Sequence, residues 1–198
     1  MLEINVKGQK RNDLGKKASK MMRKEGLIPC NLYGEKKGEN GLPVAEAFTV
    51  SFSELRKAVY TPNIYIINLD IDGEKHQAIL KEIQFHPVTD AILHIDFLEV
   101  SDKKPIVMEV PVVLDGHAEG VKAGGKLTLQ MRKLKVKAIY SEIPERLVIN
   151  VDHLGLGKTI QVGALNFEGL ELMNAKNAVV CAVQLTRAAR GAQAKSGK

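Results

Sequence analysis

Basic side chains are concentrated between Lys7 and Lys24. This segment contains one acidic residue, Asp13, and eight basic ones: Lys7, Lys10, Arg11, Lys16, Lys17, Lys20, Arg23 and Lys24. Eight basic residues against one acidic residue give a local charge of +7, compared with +6 for the whole chain. Such a density favours binding to a polyanion, and nucleic acid is the commonest polyanion in a cell. The alternative is a solvated lysine face without a partner.

A second polar cluster lies between Gln84 and Phe97, in the sequence QFHPVTDAILHIDF. His94 and Asp96 are two residues apart on a predicted strand, so their side chains leave the same face. With His86 they form a candidate metal triad, and thus a candidate metal-dependent hydrolase site. That site would require all three to converge at about 2 Å from one ion. The alternatives are a structural His–Asp pair and polar readout of RNA.

Two glycine-rich segments resemble nucleotide-binding loops but lack an essential residue. Gly120–Lys126 fits most of a phosphate-binding loop, yet Leu127 stands where a hydroxyl must bind Mg²⁺. Gly157–Thr159 fits the end of the same motif but not its beginning, because Asp152 stands where the first glycine is required. Nucleotide hydrolysis is therefore rejected at both segments. The favoured interpretation of the chain includes no catalytic residue, cofactor or resident metal. The expectation for Gly124 and Gly125, within the first segment, is a turn with positive φ.

The totals are those of a globular protein without a membrane segment. The 198 residues are 44% hydrophobic but only 5% aromatic, which predicts a largely aliphatic core in one large or two modest domains. The N-terminal residues lack the apolar run of a secretory signal, and no run is long enough to span a bilayer. Cys30 and Cys181 belong to no C-x-x-C pair and are predicted to be buried, reduced thiols of a cytoplasmic protein.

The first hundred residues alternate in a β pattern that must position the polar residues. A helix is expected over 16–25, with Ala18, Met21 and Met22 on one side and Lys16, Lys20, Arg23 and Lys24 on another. A second helix is expected after a Ser53 cap. Asp72-Gly73 predicts a two-residue hairpin, and residues 35–43 a mobile turn-rich loop. Strands are predicted over 2–7, 27–33, 47–52, 63–71, 74–85 and 92–100. Closure of these six into a small barrel would remove exposed edges.

The second half continues as a separate mainly β domain. Residues 101–105 predict a boundary, and Pro111 predicts that the strand over 107–114 lies at a sheet edge. Further strands are expected over 127–140, 146–151, 159–162 and 179–185. The domains are thus 1–100 and 106–185. Residues 186–198 lack acidic residues and apolar periodicity, which predicts a basic disordered tail.

Four motifs in this order resemble the bacterial large-subunit ribosomal protein that binds 5S rRNA, the bL25 family. They are G-K-x-A-S-x-x-x-R at Gly15–Arg23, I-P-x-x-x-Y-G at Ile28–Gly34, Q-x-H-P at Gln84–Pro87 and H-I-D-F at His94–Phe97. The second half, including Glu109–Leu127, is similar to the long CTC, or general stress protein, form of that family. The resemblance implies a six-stranded barrel that docks on 5S rRNA, followed by a second mainly β domain.

The resemblance also implies which residues meet RNA. Carried onto this chain they are Lys10, Lys16, Ser19, Lys20, Arg23, Tyr33, Lys81, Gln84, His94 and Asp96. Two positions depart from the family pattern: Met21 replaces a frequent basic residue, and Phe85 stands where short relatives can have Arg. One or two RNA contacts are then lost, with Lys17 or Lys24 as candidates to replace them.

The resulting expectation is a cytoplasmic ribosomal protein without catalysis. Its expected partners are 5S rRNA, the large ribosomal subunit and neighbouring ribosomal proteins, and no membrane. Off the ribosome it is expected to be a monomer. The metal-dependent hydrolase and a protein-interaction module in residues 106–185 are the alternative functions.

Overall fold

The chain has two compact units, seen in a computed structural model that describes residues 2–34, 44–102 and 104–187. The first unit extends through Ile106 and the second begins at Val107. The predicted loop over 35–43 and residues 188–198 of the predicted tail lie outside the described residues. None of the described helices is long and apolar enough to cross a membrane.

Six strands of the first unit form a closed barrel. They are β1 (Leu2–Lys10), β2 (Leu27–Tyr33), β3 (Glu46–Ser51), β4 (Tyr65–Ile71), β5 (Glu74–Phe85) and β6 (Ile92–Glu99). Their order around the barrel is β1-β3-β2-β6-β5-β4, and β1 closes the ring on β4. The β1–β4 and β2–β6 pairs are parallel, and the other four are antiparallel. The predicted mainly β fold with an N-terminal six-stranded barrel is confirmed.

The barrel interior is filled by alternate residues of each strand, as the period of two requires. Most are aliphatic, such as Val6, Leu69 and Ile95, which are at most 1% exposed. The centre also contains two phenylalanines, Phe48 and Phe97, whose ring centroids are 5.7 Å apart. The predicted aliphatic core therefore holds for most positions, with one buried aromatic pair.

The described part of the first unit also contains two helices, α1 (Lys16–Lys24) and α2 (Phe52–Val59), which pack against barrel strands. Gly15 and Gly26 flank α1 with positive φ, a conformation that glycine adopts without steric cost. The predicted Ser53 cap is wrong, because α2 begins at Phe52 and Ser51 occupies the N-cap position. Ser51 is the last β3 residue paired with β2, so the backbone leaves the sheet directly after it.

The turn between β4 and β5 has the predicted hairpin chemistry. Asp72 and Gly73 both have positive φ, 50° and 93°, as a type I′ turn requires. The Gly73 amide donates a hydrogen bond to Asp70 Oδ1 at 3.0 Å. Farther along β5, Leu80 pairs with Phe97 and Glu82 with Asp96, so Lys81 lies at a bulge.

The second unit consists of two small sheets and short helical segments. Its strands are β7 (Ile106–Asp115), β8 (Lys126–Leu129), β9 (Lys133–Ala138), β10 (Leu147–Asn150), β11 (Thr159–Gln161), β12 (Glu171–Leu172) and β13 (Val179–Gln184). One sheet has the order β10-β7-β9-β12 and the other β11-β13-β8. The helical segments are α3 (Glu119–Lys122) and two 3₁₀ turns at Tyr140–Glu142 and Val162–Ala164.

Two predictions for this unit have different outcomes. Leu134, Val136 and Ala138 are buried, so the predicted alternation of β9 is confirmed. The predicted edge position of the Pro111 strand is wrong, because β7 lies between β10 and β9. Proline is tolerated there because the pairing of β7 with β10 begins only at Val112, one residue later.

Candidate nucleic-acid interface

Helix α1 lies against β2 and is fastened to β6 by Arg23. The Arg23 Nε donates to the Leu93 carbonyl oxygen at 2.9 Å. Within α1 no residue is buried: Ala18 and Met22 are half-buried, and Met21 is 55% exposed. The predicted apolar side therefore includes Ala18 and Met22, but Met21 faces solvent. The helix is a surface element positioned by a polar contact.

The positive charges of α1 face solvent. Lys16, Lys20 and Arg23 are exposed, as are Lys17 and Lys24. Two basic residues, Arg23 and Lys24, lie in the last turn, where cations stabilise the negative end of the helix dipole. The helix therefore presents a dense cationic surface, which we call the basic ridge: Lys16, Lys17, Lys20, Arg23 and Lys24.

Arg11 connects the end of β1 to the same helix. One Arg11 terminal nitrogen donates to Ser19 Oγ at 3.4 Å. The Arg11 Nε is buried and has no hydrogen-bond partner among the described residues. The sequence placed Arg11 in the basic segment but not in the site, and no local motif distinguished it from its neighbours. The structure shows that it orders Ser19 beside the barrel.

The outward face of β6 carries His94 and Asp96, whose Nδ1 and Oδ1 atoms are 3.5 Å apart. On β5, Gln84 pairs with His94, and Glu82 pairs with Asp96. On the other side of β6, Asn31 of β2 pairs with Asp96. These cross-strand pairs bring Gln84, His94 and Asp96 together. Glu82 and Asn31 join them only through strand register, so sequence spacing could not identify them.

The pKa of His94 is affected by burial and by the nearby charges of Asp96, Arg11 and Arg23. Burial is the main reason that its pKa is lowered from the ordinary value of 6.5. Asp96 opposes this shift, while the positive charges of Arg11 and Arg23 lower the pKa further. At neutral pH, His94 is thus a neutral imidazole that can both donate and accept a hydrogen bond.

Acidification should destabilise the first unit partly through His94. Because its folded pKa lies below 6.5, the unfolded chain takes up the proton first, and stability is lost as pH falls from above 6.5 through the folded value. We expect the wild-type chain to lose more unfolding free energy over that window than His94→Gln. Denaturant titrations at each pH, followed on barrel amides by NMR, measure the difference. Equal losses in both proteins would contradict this role.

Tyr33 lies at the end of β2 and is half-buried. Burial is the largest cause of its raised pKa, and the negative charges of Asp96 and Glu82 add to it. The hydroxyl is therefore protonated at neutral pH and available as a donor. Lys81, at the β5 bulge, is exposed.

Lys10 has a different environment from the basic ridge. Its Nζ lies 3.1 Å from a Glu74 carboxylate oxygen and 3.2 Å from one of Glu46. The hydrogen bonds to Glu74 and then Glu46 are the largest causes of its raised pKa. Unlike Lys16 and Lys20, Lys10 is thus held in an ion-pair network of the barrel.

The alternative hydrolase triad is not assembled within residues 2–34, 44–102 and 104–187. Ligand atoms of His86, His94 and Asp96 do not converge there. His86 Nδ1 instead accepts the backbone N–H groups of Val88 and Thr89, both at 3.3 Å, and so orders the turn after β5. His94 and Asp96 remain as a polar pair.

The two cysteines have the predicted environment. Both Cys30 and Cys181 are free and fully buried. Burial is the main cause that raises the pKa of each thiol. Neither is therefore a reactive thiolate at neutral pH.

Comparison with known proteins gives one consistent result. Residues 6–97 match the model of the ribosomal L25p family, and residues 105–187 match that of the ribosomal protein TL5 C-terminal domain. A protein of Phocaeicola vulgatus named large ribosomal subunit protein bL25 is 65% identical over all of both chains. The protein of that name in Parabacteroides distasonis is 71% identical, over 91% of this chain and 89% of its own. In Bacteroides thetaiotaomicron the identity is 61% over all of both chains.

Proposed function

Because this chain belongs to the ribosomal L25p family, we propose that it binds 5S rRNA through the basic ridge and the adjoining polar face of the barrel. The family places the chain in the large ribosomal subunit, as a structural constituent and not an enzyme. In bacteria that location is cytoplasmic. The proposal adds the RNA partner and the residues that contact it.

The observation that carries this proposal is the hydrogen bond from Arg23 to the Leu93 carbonyl oxygen. It holds α1 beside β6, the strand that carries His94 and Asp96, and we infer that the ridge and this pair bind RNA as one surface. The cations of such a surface neutralise phosphates, which supply affinity and orientation. Its uncharged and acidic groups read hydroxyls and base edges, which the wide minor groove of an RNA helix exposes.

Each predicted contact residue has a chemical role in this arrangement. Lys16, Lys20 and Lys81 are suited to phosphates. Ser19, Tyr33 and Gln84 offer neutral donors and acceptors, and Tyr33 also offers a stacking surface. Lys10 could contribute only if it left the carboxylates of Glu46 and Glu74, or contacted RNA beside them.

A gel shift of the full chain with purified 5S rRNA tests the proposal directly. We expect a discrete complex that an excess of transfer RNA does not compete away, because shape and base contacts add to the phosphate contribution. Equal competition by transfer RNA would show nonspecific binding and would reject the proposed partner.

Arg23→Ala should weaken 5S rRNA binding by about 1–3 kcal/mol. This is the range for a charged side chain that forms a paired, desolvated hydrogen bond to RNA. The substitution removes a cation and the bond that fixes α1 to Leu93. Arg56→Ala is the matched control, since Arg56 is equally basic and exposed but lies on α2. Fluorescence anisotropy with labelled 5S rRNA measures both. Equal affinities of the two variants would remove Arg23 from the interface.

A further inference from the structure

Five charged or titratable side chains meet at one end of the barrel. Lys10 is the last residue of β1, Glu46 and Glu74 are the first of β3 and β5, and Glu99 is the last of β6. His76 lies two residues into β5. Each lies two or four residues from a buried residue of its own strand. Alternate residues of a strand share a face, so all five side chains lie on the inner face of the barrel. We call this group the mouth cluster.

His76 is the most buried member and is held by Glu99. Its Nδ1 lies 2.7 Å from Glu99 Oε1, and its side chain is 9% exposed. A carboxylate at this distance accepts a hydrogen bond from the Nδ1–H group, and in the neutral imidazole this leaves the lone pair on Nε2. The Nε2 atom is buried and has no hydrogen-bond partner among the described residues. It points into the cluster, 3.7 Å from Glu74 Oε2.

A histidine whose one ring nitrogen is hydrogen-bonded to a carboxylate is a common metal ligand in proteins. A carboxylate on one ring nitrogen fixes the tautomer and orientation and makes the other nitrogen a better ligand. One ligand atom each of Glu46, Glu74 and His76 lie within 4.8 Å of one another. Small side-chain rotations would bring them to the roughly 2.0–2.2 Å at which Zn²⁺ binds nitrogen and oxygen ligands.

We propose that the mouth cluster is a binding site for one divalent transition-metal ion such as Zn²⁺. His76 Nε2 and one oxygen each of Glu46 and Glu74 are the protein ligands, and Glu99 orients His76. One imidazole and two carboxylates leave a fourth position for water, as in open zinc sites. The nitrogen ligand favours Zn²⁺ over Mg²⁺ or Ca²⁺, which prefer oxygen ligands alone.

Lys10 would compete with this ion for the carboxylates of Glu46 and Glu74. Its ammonium lies between the same two carboxylates, 3.2 Å from Glu46 and 3.1 Å from Glu74. One positive charge therefore already offsets half of the negative charge of the two acidic ligands. A divalent ion must displace it, so removal of the Lys10 charge should strengthen metal binding.

Calorimetric titration of the chelator-washed full chain with Zn²⁺ tests the site. We expect one ion per chain, and His76→Gln should weaken binding by roughly tenfold or more. Lys10→Met should bind Zn²⁺ more tightly than the wild-type chain. Co²⁺ provides a second readout, because a four-coordinate site absorbs visible light more strongly than hydrated Co²⁺, and His76→Gln should lose this stronger absorption.

The control is His153→Gln, which removes an exposed histidine from the second unit. Its Zn²⁺ affinity should equal that of the wild-type chain. A misfolded variant could lose affinity but could not gain it, so the opposite effects of His76→Gln and Lys10→Met separate metal binding from folding. Absence of one-to-one binding, or equal losses in His76→Gln and His153→Gln, would overturn the proposal.

Discussion

Raising monovalent salt from about 50 to about 200 mM should weaken the affinity of the chain for 5S rRNA by roughly 10²–10³-fold. The exposed cations of the basic ridge bind phosphates by releasing condensed counterions, and added salt removes that gain. If about six phosphates are neutralised, log K should fall with log salt at a slope of roughly −4 to −5. Filter binding across a salt series measures the slope.

Two double variants test whether the basic ridge is responsible for this salt dependence. Lys16→Ala with Lys20→Ala removes two exposed cations of α1 and should make the slope shallower by about 1.5. Lys133→Ala with Lys135→Ala removes two exposed cations of β9 and should leave the slope unchanged. A wild-type slope near zero, or equal changes in both double variants, would exclude the ridge as the phosphate-binding surface.

Phe97→Ala should lower the free energy of unfolding of the first unit by about 3–5 kcal/mol. The Phe97 side chain is fully buried and packs against Phe48, with ring centroids 5.7 Å apart. Removal of the ring leaves a cavity that a closed barrel cannot collapse to fill, because each strand is bonded on both sides. Denaturant unfolding followed on barrel amides by NMR measures the loss.

Phe52→Ala is the matched control for this substitution. Phe52 also contacts an aromatic ring, that of Tyr60 at 6.2 Å, but it is 40% exposed on α2. Its loss should cost about 1 kcal/mol or less, because little buried surface is removed. Similar costs for both variants would show that Phe97 is not central to barrel stability.

Local sequence signals predicted most of the barrel. The Asp72-Gly73 turn requires two positive φ angles, which only a few residue types tolerate, so its position is fixed by chemistry. The alternation along β1 and β9 follows from one buried and one exposed face. The glycines around α1 mark its ends for the same reason as the turn.

The errors occurred where a distant segment decides the outcome. Pro111 is tolerated in a central strand because the pairing of β7 with β10 starts after it. Ser51 occupies the N-cap position predicted for Ser53, because β3 pairs with β2 up to Ser51 and the helix begins at the next residue. Met21 is exposed although it belongs to the predicted apolar side of α1, and the hydrogen bond from Arg23 to Leu93 that also holds this helix joins segments far apart in sequence. None of these contacts is encoded within the segment that it affects.

The proposed site depends on an assembly of side chains that residue spacing does not reveal. The charge density of the basic segment indicated a polyanion, and the motif resemblance selected its residues. The ion pairs of Lys10 with Glu46 and Glu74, and the contact of Arg11 with Ser19, depend on barrel closure. Strand register, which also brings Glu82 opposite Asp96, cannot be read from residue spacing.

The closure of the barrel has a consequence for synthesis of the chain. β1 pairs in parallel with β4, from Leu2 opposite Tyr65, and α1 is fastened by Leu93. During translation, at about 5–20 residues per second, the cationic helix therefore leaves the exit tunnel seconds before its anchor is made. Nascent chains must carry an unsecured polybasic segment during that interval, close to the RNA-rich surface of the ribosome that synthesises them.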